Sequence, residues 1–135
     1  MPLVFFEQGR DASLASLVNR GPRADLVMHL YCNDHFPGEG DSSAEYQECD
    51  FPGYQFTVLS GQDWTVSGGV ANFAEQTFVR SRSGTAQPVY GYYYTRAGEA
   101  IAAERFADGP YWVSNMKDEI AVTPNISNPA GRGAT

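Results

Sequence analysis

Lysine is almost missing from this 135-residue chain, in which Lys117 stands beside eight arginines. From Ala24 to Val79 there is no Lys or Arg at all. The same stretch holds nine acids: Asp25, Asp34, Glu39, Asp41, Glu45, Glu48, Asp50, Asp63 and Glu75. Elsewhere nine basic groups face seven acids, so this stretch alone sets the net charge of −7. Phosphate backbones repel such a chain, and no nucleic-acid partner is expected. Apolar runs are short as well, far below the roughly 20 residues that cross a bilayer, so no membrane partner is expected. The opening Met-Pro-Leu-Val-Phe-Phe-Glu has no basic residue ahead of its apolar patch. It is expected not to be a secretory signal, which implies synthesis in a cytoplasm. The two cysteines, Cys32 and Cys49, lack both CxxC spacing and enough histidine companions for a structural zinc. Free thiols are expected, with Cys32 a small core residue.

Catalytic signatures are equally scarce. There is no GxSxG elbow, no Walker motif and no GxGxxG. His29 and His35 are the only histidines. His29 lies between Met28 and Leu30 in an expected strand, where a half-buried, satisfied side chain is the expected role. His35 follows Asp34, but neighbours on a strand point apart and do not make an oriented base. A retaining glycosidase needs two carboxylates about 5 Å apart, and nothing here selects a pair. No catalytic, cofactor-binding or metal-binding residue is therefore assigned, and the chain is read as a non-enzyme.

What is present is material for a β-rich core. Apolar residues make up 42% and aromatic ones 13%, enough to exclude a wholly disordered chain. Asp11 caps an expected helix over 11–20, with Leu14, Leu17 and Val18 on one face and Gly21-Pro22 as its stop. Leu3–Phe6 reads as a strand or an anchoring arm. Strands are expected over 26–32, 54–59, 63–66, 76–80, 89–95, 101–106 and 119–123, with 76–80 and 89–95 flanking a Ser-Arg-Ser-Gly-Thr hairpin turn. Such a series predicts a mainly β, single β-sandwich or jelly-roll-like domain over 1–124, with one short N-terminal helix. Residues 125–135 read as a flexible C-terminal tail or arm.

Two stretches invite a partner. Asn33 to Pro52 is long and acidic, and a loop of that length usually carries function. Calcium ligation by its carboxylates is one reading; the spacing matches no EF-hand, and a solvated surface is the expected one. In Tyr90–Tyr94, alternation sends Tyr90, Tyr92 and Tyr94 to one face and Tyr93 to the other. Together with Trp64 and Trp112 these suit a protein-recognition surface or a sugar-stacking one. The candidate partner-binding residues are Phe5, Phe6, Asp41, Glu45, Tyr92, Tyr94 and Trp112.

The string His29–Asp41 followed by Phe51–Tyr54 resembles small virion structural proteins of tailed bacteriophages. So do Val89–Tyr92, Ala103–Tyr111 and Asp118–Pro124. The likeness spans most of the chain, but its motifs are turns and strands and bring no catalytic residue with them. It implies a capsid cement (decoration) protein of the virion; the two chain ends flanking a short domain add the expectation of a homo-oligomer, a trimer. Its partners would be the major capsid protein or other virion proteins. A tail-associated carbohydrate-binding or host-recognition module is the alternative.

Overall fold

The structure, a computed structural model, describes residues 3–5, 25–60, 63–67 and 70–127. Its strands are β1 (Val4–Phe5), β2 (Leu26–Tyr31), β3 (Thr57–Leu59), β4 (Thr65–Ser67), β5 (Val70–Asn72) and β6 (Gln76–Val79). They continue with β7 (Gln87–Val89), β8 (Gly91–Arg96), β9 (Glu99–Arg105), β10 (Tyr111–Val113), β11 (Glu119–Val122) and β12 (Asn125–Ser127). The one helical element among the described residues is a 3₁₀ turn at Ser43–Glu45. The helix expected over 11–20 lies outside them. The chain is thus mainly β, with several antiparallel sheets.

The largest sheet has the order β1-β9-β8-β2-β3; the others are β10-β7, β11-β6 and β12-β5-β4. In β2, Leu26, Met28 and Leu30 are fully buried in the main core, while Val27 and His29 turn to the opposite face and are half-buried. β8 lies between β2 and β9, and its Gly91–Thr95 is buried, the main core packing on one face and Tyr46 with its neighbours on the other. Gly91 has to be glycine, because a β-carbon there would lie 2.2 Å from the Glu104 carbonyl oxygen. The β8–β9 turn puts Ala97 at φ 53° and Gly98 at φ 82°. Two left-handed residues match the right-handed twist of a two-residue hairpin. The main core joins β2, β3, β8 and β9 to Phe78, Val113, Ile120, Val122 and Ile126 from the smaller sheets.

Three expectations need correction. β6 and β8 do not form a hairpin: β6 pairs with β11, and β8 with β2 and β9. The stretch between them is held by Arg80, whose Nε and Nη1 donate to the carbonyls of Arg82 and Thr85, so it cannot act as a simple turn. Second, the tail does not begin at 125. Asn125–Ser127 forms β12 against β5, and Ile126 is fully buried opposite Ala71; one large aliphatic side chain is enough to dock the strand. Third, strands form at Val70–Asn72 and Tyr111–Val113, where none was expected, while the Leu3–Phe6 stretch takes the strand of its two expected alternatives, Val4–Phe5 pairing with Ala102 and Ala103 of β9.

Candidate functional site

The outer face of the five-stranded sheet is polar and aromatic. His29 and Tyr93 are cross-strand partners, and their rings stack with centroids 4.7 Å apart and 12° between planes. Tyr31 is bridged to Glu48 of the returning loop, which brings that carboxylate over the sheet. His29 Nδ1 lies 2.7 Å from Glu48 Oε2 and Nε2 lies 2.8 Å from Thr95 Oγ1. The Tyr54 hydroxyl donates to the same Glu48 oxygen at 2.6 Å. The ladder shifts register between Tyr94 and Thr95, and such bulges re-aim side chains.

Threonine, histidine and glutamate in this order match a nucleophile, a base and the acid that orients it. With Glu48 ionised, Nδ1 donates and the neutral ring accepts the Thr95 hydroxyl proton at Nε2. Thr95, however, is only 8% exposed and its neighbours pack closely around it. As it stands, the array locks the 33–50 loop to the sheet.

Asp41 is the hub of that loop. One oxygen, Oδ2, accepts from His35 Nε2 at 2.7 Å, from the Tyr46 hydroxyl at 2.8 Å and from the Gly38 N–H at 3.0 Å. Burial alone would raise its pKa, but these three hydrogen bonds hold the carboxyl below the ordinary carboxylate value, that of His35 first. Burial, followed by the Asp41 contact, pushes the Tyr46 phenol well up. Ser42 and Glu45 form a capping box on the 3₁₀ turn. Arg105 fastens the other end: Nη1 lies 2.8 Å from Asp34 Oδ1 and 3.1 Å from the His35 carbonyl oxygen, with the guanidinium 3.8 Å above the Phe36 ring. Asp50 Oδ1 accepts from Gln87 Nε2 at 2.8 Å. Among the described residues no three His, Cys, Asp or Glu side chains gather as metal ligands. His35 thus takes Asp41, six residues on, rather than the adjacent Asp34.

The candidate residues scatter. Tyr92 and Tyr94 are 5% and 0% exposed, on the core face of β8, and are withdrawn as surface contacts. The Tyr92 hydroxyl donates to Glu104. Asp41 and Glu45 serve the loop just described. The backbone of Phe5 lies in β1, and Phe6 falls outside the described residues. Trp112 alone stands out, 60% exposed on β10. It borders a groove of about 380 Å³ between β10 and β11, with Tyr111, Ile120, Ala121, Asp118 and Glu119. Asp118 Oδ2 accepts the N–H groups of Asn115 and Ser114, which hold its pKa low, with a smaller contribution from Arg80. Cys32 and Cys49 are free thiols; Cys49 is buried and Cys32 half-buried, and burial raises both thiol pKa values.

No protein-family model matches the chain, and neither a curated protein nor a solved structure matches it. Sequence reasoning missed Glu48 and Thr95 as partners of His29, and it missed Arg80. Only the placement of His29 in an apolar strand marked it for satisfaction by a distant group.

Proposed function

We propose that this chain is a non-enzymatic structural protein of a phage particle, a capsid cement protein that docks as a homo-oligomer, a trimer, on neighbouring shell subunits. In this reading the four sheets are the layers of one sandwich or jelly-roll-like domain. The observation that carries the docking is Trp112, a large aromatic left 60% exposed on a short strand beside a groove with Asp118 and Glu119. Exposed aromatics of this kind anchor protein interfaces, and the two carboxylates suit an arginine-bearing surface. The phage resemblance supplies the partner class: the major capsid protein or another virion protein.

Trp112→Ala should lower occupancy on purified particles by about tenfold or more, as loss of an interface anchor does. Copy number from quantitative electrophoresis should reach many per particle. Unchanged occupancy of Trp112→Ala would reject the docking site. A few copies confined to the tail would favour the carbohydrate-binding reading, since an aromatic platform beside carboxylates also suits a sugar ring.

A further inference from the structure

We propose that Arg80 anchors a pocket for a single carboxylate. Arg80 is 2% exposed, yet its guanidinium is always charged. Its Nε donates to the Arg82 carbonyl at 2.7 Å. Nη1 donates to the carbonyls of Thr85 and Val113, each at 2.9 Å. A guanidinium has five N–H donors, and these bonds use the three on Nε and Nη1. The two on Nη2 remain. The Asp118 carboxylate feels the Arg80 charge but is spent on the Ser114 and Asn115 amides, and among the described residues no carboxylate lies within ion-pair distance of Arg80.

Nη2 is not sealed from solvent. Arg80 and Gly84 both line a pocket of about 440 Å³, and a β-carbon on Gly84 would lie 2.9 Å from Nη2. Glycine at 84 thus leaves open the space that an acceptor oxygen needs. Arg82 on the rim supplies a second guanidinium, and Ser83 and Thr85 supply hydroxyls. Asp50 stands among the lining residues, tied to Gln87. Its charge offsets one of the two guanidiniums, which leaves a single positive charge for one carboxylate to neutralise. The carboxylate comes either from a small free acid or from an acidic side chain on another protein. This assignment rests on neither the groove at Trp112 nor the virion reading.

The test is a titration of the full chain at constant ionic strength, followed by amide NMR. The probes are sodium acetate, a blocked Gly-Asp-Gly tripeptide, sodium phosphate and sodium chloride. Acetate should shift the amides of Gly84 and Thr85 saturably. A matching response to the tripeptide assigns the site to acidic side chains, and a response to acetate alone assigns it to small acids. Gly84→Val, which fills the space at Nη2, and Arg82→Gln should each weaken acetate binding about tenfold. Gly84→Val lies in an exposed loop and keeps the test valid even where Arg80→Gln fails to fold. Absence of a localised shift, unchanged acetate binding in Gly84→Val, or phosphate or chloride binding as tightly as acetate would each overturn the proposal.

Discussion

The two faces of the five-stranded sheet solve the same burial problem by different chemistry. The inner face, with Leu26, Met28, Leu30, Tyr94 and Ala102, excludes water with apolar surface. The outer face, with His29, Tyr31 and Tyr93, is covered partly by Tyr46 and by a loop rich in carboxylates. There, His29, Glu48, Thr95, His35, Asp41 and Tyr46 satisfy one another. Apolar packing is non-directional and tolerant of chemistry but not of volume. A hydrogen-bonded face is tolerant of volume and intolerant of a missing partner. The acidic stretch finds its partners on this side: Asp34 meets Arg105, Asp41 meets three donors, and Glu48 meets His29 and Tyr54.

The sharpest way to break the inner face is Leu30→Ala. A fully buried leucine truncated without collapse should cost about 2–5 kcal/mol, read from urea unfolding. A loss below about 1 kcal/mol would mean that this face is not the core. Asp41→Asn attacks the outer face and should cost about 1–3 kcal/mol near neutral pH, since it removes the charged acceptor of three donors. Its pH dependence follows from sign. The folded pKa of Asp41 lies below its unfolded value, so its stabilisation is complete above the unfolded carboxylate range and is lost as pH falls through the folded value. The variant's stability should therefore fall less steeply on acidification than that of the parent chain; parallel acid limbs would contradict the hub role.

A matched pair separates the faces with the smallest possible change. Tyr46→Phe removes a donor from Asp41 and should cost about 1 kcal/mol. The Tyr94 hydroxyl is buried and makes no hydrogen bond among the described residues, so Tyr94→Phe should be neutral or slightly stabilising. Equal costs for the two would erase the distinction between the faces. The smallest effect is expected at the turn that both faces share. Ala97 holds φ 53°, a conformation that asparagine tolerates better, and Ala97→Asn should add about 0.5–1 kcal/mol to the unfolding free energy. A drop in stability would show that the alanine methyl packs usefully there.

Local chemistry made part of this molecule legible in advance. The apolar run at Leu26–Tyr31 marks a strand, but with apolar residues on both alternations it does not say which set faces the main core. Ala97-Gly98 announces its turn, and Asn33–Pro52 announces a long loop by its Gly, Pro and acid content. The rest depends on contacts that no local pattern encodes. His29 finds Glu48 19 residues away and Thr95 66 residues away. Ile126 escapes the low-hydrophobicity tail because Ala71 leaves space opposite it. Tyr92 and Tyr94 are interior because residues from the other sheets pack on their face of β8. Composition determined that this chain would be β-rich and that its acids would cluster. Only the tertiary structure decided which acids are consumed in holding a loop, and which guanidinium is left with donors to spare, because pairing across a sheet is set by the neighbours a strand acquires and not by the residues beside it in sequence.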